Sequence, residues 1–270
     1  MPNVSSVTST TAPRSTIAAP TDLITPGTLT VGSYMAYPPQ EYIDATTNQA
    51  TGFDIDLITA IARYMGLKTN IVATNFGSII DNLAAEHFDV VISAVTITAD
   101  RQKKVDFVPY LDVGESLLVQ KGNPRNVKSI TDLCGMGAAV KSGTVEQTDL
   151  QMASEDCIKG GRQKIDIMIL PDQQAVIQLL AARRVVATYQ DSPVTDYYNK
   201  ENPGRFEVGG PVVNVAAEGI AIRKGDTSTL TAVQKALTAL KKDGTYTALI
   251  QKWGLMSGAI TMVDNQTAYA

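Results

Sequence analysis

The sequence predicts a two-lobe α/β protein, and three observations carry that reading. Short apolar runs alternate with stretches of helical period, the rhythm of a parallel sheet joined by right-handed crossovers. That rhythm occurs twice along the chain. A chain of 270 residues also holds more apolar surface than one core usually organises, so two lobes are preferred over one.

The elements follow in order. Leu29 to Gly32 reads as a first strand ending at a glycine turn. Asp54 through Met65 carries Leu57, Ile58, Ile61 and Met65 at helical spacing, and Gly66 stops the helix. Lys68 to Ala73 is a strand, and Ser78 to Glu86 is a helix with Ile79, Leu83 and Ala84 facing inward. Val90 to Val95 is a continuous apolar run, as expected of a strand buried on both faces. Thr98 then has the chemistry of an N-cap for the next helix.

The second unit repeats the pattern. Gly137 to Lys141 is a strand, the Gly143-Thr144 turn opens a helix, and Ile165 to Leu170 is a strand. Ala175 to Ala182 is a helix with Val176, Leu179 and Leu180 on one face, and Val185 to Tyr189 is a strand. Gly219 to Arg223 follows as a strand, then helices over Ser228 to Lys242 and Thr245 to Lys252. Leu230, Val233, Leu237 and Leu240 form the stripe of the first of these, and Gly244 lies beyond its end.

Composition excludes several classes. The net charge is −4 and the basic residues are scattered, so neither nucleic acid nor an anionic lipid surface is an expected partner. No apolar run approaches the roughly 20 residues that span a bilayer. With one histidine in the chain, the usual His/Cys zinc sets cannot be assembled, and no metal or cofactor is expected. Residues 1–20 are rich in Ser, Thr, Ala and Pro without periodicity, and such a segment is expected to stay disordered. It has no basic region followed by an apolar one, so a signal peptide is not expected within it. It would suit the tether of a lipid-anchored extracytoplasmic protein; a cloning leftover is the alternative. Cys134 and Cys157, the two cysteines, are expected to form a disulfide; a pair of buried thiols is the alternative.

The chemistry concentrates after the Val90–Val95 run, where Thr96, Thr98 and Arg101 follow a strand's carboxyl end. Open α/β sheets place ligands there, and arginine's planar fork of donors matches a carboxylate. The plainer reading is a surface arginine beside Lys103 and Lys104. Thr144 and Val145 open a helix after a strand, so their N–H groups can receive an anion. Asp191 ends another buried strand and supplies an acid, or else caps the helix that starts at Ser192-Pro193. Enzyme signatures are weak: Lys141-Ser142-Gly143 has no accompanying Ser-x-x-Lys, Gly114-Glu115-Ser116 lacks the closing glycine of a nucleophile elbow, and no Walker A motif occurs.

Taken in order, these segments resemble the polar amino-acid-binding proteins that feed ABC importers. The resemblance rests on Thr98-Ala99-Asp100-Arg101, the loop from Gly32 to Pro39, and Gly52-Phe53-Asp54-Ile55-Asp56-Leu57. Val105-Asp106-Phe107 with Pro109-Tyr110, Ser142-Gly143-Thr144, Gln190-Asp191 and Lys252-Trp253-Gly254 complete it, from about Leu29 to Leu255. It implies a type II periplasmic binding protein fold, each lobe a mainly parallel sheet flanked by helices, with a two-segment hinge. The implied division is a tether over 1–27, lobe one over 28–113 and 215–258, lobe two over 114–214, and a tail over 259–270. A monomer with no enzymatic activity is expected, taking a free amino acid, polar or basic, to a membrane permease. An enzyme like cyclohexadienyl dehydratase and an amino-acid sensor domain are the alternatives on the same fold. By correspondence Arg101 pairs with the ligand α-carboxylate and Asp191 with its ammonium. Tyr34, Tyr37, Phe76, Ala94, Val95, Thr96, Ser142, Thr144 and Val145 complete the implied ligand set. Where the family often has a hydroxyl residue this chain has Ala94, leaving only its carbonyl.

Overall fold

The computed structural model describes residues 17–260. Strand β1 (Thr28–Ser33) leads into a small hairpin sheet of β2 (Ala36–Tyr37), β3 (Glu41–Ile43) and β4 (Ala50–Thr51). Helix α1 (Phe53–Tyr64) buries Leu57, Ile58 and Ile61 and opens with Asp54 and Asp56, which suit the positive end of its dipole. Strand β5 (Lys68–Ala73), α2 (Ile79–Ala84), the two-residue β6 (Val90–Val91) and α3 (Ala99–Lys104) follow. Thr98 caps α3, its Oγ1 accepting from the Arg101 N–H at 3.2 Å.

Strand β7 (Val105–Gln120) enters the middle of the chain, which holds β8 (Gly137–Lys141), α4 (Val145–Lys159), β9 (Asp166–Leu170) and α5 (Gln173–Ala181). Next come β10 (Ala187–Asp191), α6 (Ser192–Glu201) and β11 (Phe206–Val208), before β12 (Val213–Arg223) returns. Helices α7 (Thr227–Lys242) and α8 (Thr245–Trp253) close the fold.

The strands join in the order β5-β1-β6-β12-β7-β10-β8-β9, with β11 on β7. β1 is parallel to β5 and β6, and β8 is parallel to β9 and β10. Between these parallel groups, β7 and β12 run antiparallel from Val105 opposite Arg223 to Glu115 opposite Val213. The core divides accordingly. Leu29, Val31, Leu57 and Ile61 pack with Ile220, Ile222, Val233, Leu237 and Ile250, uniting the first and last thirds. Leu117, Leu133, Val140, Leu150 and Tyr189 pack among themselves, all from the stretch between β7 and β12 or from β7 itself.

Three expectations change. The strand expected over Val90–Val95 ends at Val91, although Ile92 to Val95 remain buried. Ala94 turns to a φ of 49° and gives its N–H to Asp54 Oδ2 at 2.9 Å instead of a neighbouring strand. The tether expected over residues 1–27 is packed from Ile17 onward; its earlier part lies outside the described residues. Ile17 and Leu23 rest on the core, and buried Asp89 accepts from the Ile24 and Thr30 N–H groups. The tail expected from residue 259 likewise begins packed. Ala259 bridges to Leu111, and the Ile260 N–H donates to Tyr246 Oη at 3.1 Å; residues 261–270 lie outside the described residues.

Cys134 and Cys157 form a disulfide that ties the turn ahead of β8 to α4 across 23 residues of chain. Closing a loop of that length stabilises a fold by ~3 kcal/mol in the chain-entropy model. Reduction should therefore lower the melting temperature by about 5–10 °C in calorimetry. No change on reduction would mean that the bridge carries no stability.

Candidate functional site

The sheet order puts β1 between β5 and β6, and β8 between β9 and β10. Each is a point where the chain steps to opposite sides of a strand, and the loops after such strands form a crevice. On one side the crevice receives Tyr34 and Tyr37 after β1, Phe76 after β5, and Ala94 and Thr96 after β6. On the other side stand Lys141 at the end of β8 and Asp191 at the end of β10.

Arg101 spans the crevice. Its Nη1 donates to the Thr96 carbonyl at 2.7 Å and its Nη2 to the Gly143 carbonyl at 3.2 Å. The guanidinium also stands 5.7 Å from the centre of the Phe76 ring, so it is not a solvated surface arginine. Gly143 has a φ of 79°, and a Cβ there would lie 3.1 Å from Gly77 Cα. Glycine thus permits both the turn ahead of α4 and the backbone approach across the crevice. Thr144 caps α4, its Oγ1 accepting from the Gln147 N–H at 3.3 Å and donating to the Lys141 carbonyl at 3.0 Å.

Asp191 precedes α6 but makes no capping hydrogen bond with its side chain. Its Oδ2 instead accepts from Tyr37 Oη at 2.8 Å, across the crevice. The capping reading of this acid therefore fails on geometry.

A small cavity of about 10 Å³, room for roughly one water, lies at the centre of the closed cleft. Of the residues picked from sequence, it brings together Tyr37, Phe76, Ala94, Thr96, Arg101, Thr144, Val145 and Asp191. Three others stand elsewhere. Val95 is wholly buried with Phe88, Val91 and Val105 beneath the crevice, and Ser142 gives its N–H to the Leu170 carbonyl beside β9. Tyr34 closes the rim, its Oη donating to the Pro171 carbonyl at 2.9 Å, while its ring backs onto Lys141.

Two lining residues were missed. Lys141 is 2% exposed, and its Nζ lies 3.6, 3.9 and 4.9 Å from the ring centres of Phe76, Tyr34 and Tyr37. A lysine ending an apolar strand, immediately before a ligand turn, was the available signal. Glu146 is also buried and faces Asp191. Its place in the first turn of α4 was visible, but the direction of its carboxyl was not.

Burial governs the protonation of these groups. It pushes Glu146 up to about 8, helped by the neighbouring Asp191 charge. It raises Asp191 to about 6, held lower by hydrogen bonds from Tyr37 and from Glu146. The two carboxyls face each other and titrate as a pair, both raised above the ordinary carboxylate range by burial. Burial also holds Lys141 down to about 7. Behind the cavity, burial raises Asp54 and Glu115 to about 7, and carries Glu41 and Glu218 well above the carboxylate range.

These shifts dictate the pH dependence of the unligated fold. A carboxyl raised on folding binds its proton more tightly in the folded state. Its stabilisation is complete below the unfolded value and is lost as pH rises through the folded one. Lys141, lowered on folding, changes stability only above about 7. Between pH 5.5 and pH 7 the carboxyls act alone, so the melting temperature should fall across that interval. A melting temperature that rises there would contradict the buried acids.

Paired α/β halves with strand ends meeting at a closed cleft define a type II periplasmic binding protein fold, and solved structures agree. An ancestral arginine-binding protein bound to arginine superposes with a TM-score of 0.79 at 35% identity, over 84% of this chain and 98% of that one. The ancestral amino acid-binding protein AncCDT-1, a precursor of cyclohexadienyl dehydratase, gives a TM-score of 0.73 at 38% identity, over 84% of this chain and 95% of that one. The L-cystine-binding protein TcyJ of Escherichia coli (strain K12) is 31% identical over 228 residues, 84% of this chain and 82% of its own. Residues 29–256 match the bacterial extracellular solute-binding proteins, family 3, and the chain belongs to that family. No helix among the described residues is long and apolar enough to cross a membrane.

Proposed function

We propose that the protein captures a free amino acid, polar or basic, in this cleft and delivers it to an ABC transporter permease. The observation that carries the reading is one cavity lined by Arg101 from one side and Asp191 from the other. An amino acid brings a carboxylate and an ammonium, and a closed cleft must pair both, because a buried unpaired charge costs several kcal/mol. Arg101 and the N–H groups opening α4 receive the α-carboxylate. Asp191 receives the ammonium, with Thr96 and the Ala94 carbonyl as further acceptors. Tyr37 and Phe76 wall the ligand. The relatives named for cystine and arginine support an amino acid as the class of ligand.

Closure follows from the same contacts. Residues 28–113 with 215–258 act as one lobe and 114–214 as the other, moving about β7 and β12 near Val113-Gly114 and Asn214-Val215. The ladder between these strands loses register between Val213 and Ala216, and Asn214 has a φ of 51°. A Cβ on Gly114 would lie 2.3 Å from Val212 Cγ1, so this crossing has no room for a larger residue. The protein works as a monomer outside the cytoplasmic membrane, with the Ser/Thr/Pro-rich N-terminal segment as its link to the membrane surface.

A thermal-shift screen of the common amino acids and cystine tests the reading. A ligand at 100 times its dissociation constant adds roughly 2.7 kcal/mol, a rise of about 5–10 °C for a chain of this size. If no amino acid moves the transition, amino-acid capture is wrong.

A further inference from the structure

We propose that Lys141 sets the ligand class: the cleft selects an amino acid whose distal end carries an oxygen acceptor, a carboxylate or carboxamide, and rejects basic side chains. The inference rests on the reading that the cleft takes an amino acid, and it narrows that reading to the acceptor-bearing ligands.

Lys141 is buried at the end of β8 and lines the same cavity as Arg101 and Asp191. Its ammonium has rings on three sides, Phe76 at 3.6 Å, Tyr34 at 3.9 Å and Tyr37 at 4.9 Å. Ring faces attract a cation but accept no conventional hydrogen bond from its three donors. Among the described residues Lys141 Nζ donates no hydrogen bond. Glu41, Glu146 and Asp191 face it with their charges, but none accepts a hydrogen bond from it, so its donors stay open to an acceptor arriving in the cavity.

The same geometry excludes a cationic ligand side chain. Tyr37 and Phe76 in the lining, with Tyr34 at the rim, would ordinarily suit a guanidinium or an ammonium. Here the protein's own ammonium already occupies the space between them. A ligand cation entering the cage would stand within a few ångströms of Nζ, in a site where water cannot screen the repulsion.

A distal oxygen, by contrast, pairs every charge. Arg101 takes the α-carboxylate, Asp191 takes the ammonium, and Lys141 takes the distal carboxylate or carboxamide. Burial holds Glu146 well toward its neutral form beside Asp191.

Calorimetry of the full chain with L-glutamate, L-glutamine, L-cystine, L-arginine and L-lysine tests this at pH 6.5, for the wild type and for Lys141→Met. The wild type should bind at least one acceptor-bearing ligand at least 100-fold more tightly than arginine or lysine. This comparison needs no variant to fold. Lys141→Met should weaken the preferred ligand at least tenfold and strengthen arginine, by freeing the cage for its guanidinium. Glutamate favoured over glutamine would identify a carboxylate as the preferred group, and the reverse order a carboxamide. Arginine or lysine bound most tightly by the wild type would overturn the inference while leaving amino-acid capture intact. Unchanged affinity for the preferred ligand in a folded Lys141→Met would overturn it too. No binding by any amino acid would overturn the capture reading itself.

Discussion

Arg101→Ala should weaken amino-acid binding by about 100- to 5000-fold while leaving the fold in place. Removing one partner of a buried ion pair costs about 3–5 kcal/mol, because the other charge stays buried and unpaired. Here the stranded charge would be the ligand α-carboxylate. The fold loses the donations to the Thr96 and Gly143 carbonyls and the stacking on Phe76; hydrogen bonds from a charged donor have a net worth of about 1.5–3 kcal/mol each. Arg101→Lys should not rescue, since lysine keeps the charge but cannot present two parallel donors. Calorimetry on the ligand with the largest thermal shift provides the check. Binding within a few-fold of wild type would remove Arg101 from the carboxylate site.

Asp191→Asn should cost about 2–4 kcal/mol of binding, somewhat less than the arginine change. The variant keeps its structural contact, since an asparagine oxygen can still accept from Tyr37 Oη, now 2.8 Å from Asp191 Oδ2. What it loses is the charge facing the ligand ammonium across the cleft. A ligand analogue without the α-amino group should also bind the wild type poorly. It should lose less than the complete ligand on going to the variant, which is how coupling shows in a double-mutant cycle. If the two losses simply add, Asp191 and the ammonium do not touch.

The repeating units were legible because their signals are local and periodic. The stripe Leu57, Ile58, Ile61 buries one face of α1, and Val233, Leu237 and Leu240 do the same for α7. Thr98 and Thr144 act as caps, and Cys134 and Cys157 pair. Arg101 and Asp191 stood out as charged residues at the ends of apolar runs, and both reach the cavity. Val95 did not, because once β6 stops at Val91 the alternation that assigns faces no longer applies, and Val95 turns into the core. Lys141 escaped notice because a strand-terminal lysine ordinarily extends into water. Its burial depends on Phe76 and Tyr34, more than sixty positions away in the chain. Glu146 escaped because the partner its carboxyl faces, Asp191, lies on a separate element, β10. The packing of Ile17 and Leu23 was hidden by the polar residues around them; it takes Asp89, after α2, to hold that segment down.

The most direct test is a crystal structure grown with the amino acid that gives the largest thermal shift. The account predicts one ligand in the central cavity, its α-carboxylate within about 3 Å of the Arg101 guanidinium and the Val145 N–H, a charge-assisted geometry. The ammonium should lie on Asp191, and the distal group should point toward Lys141. A ligand lying instead in the open groove beside Met152, Asp156 and Asn214, or reversed so that its ammonium faces Arg101, would contradict it.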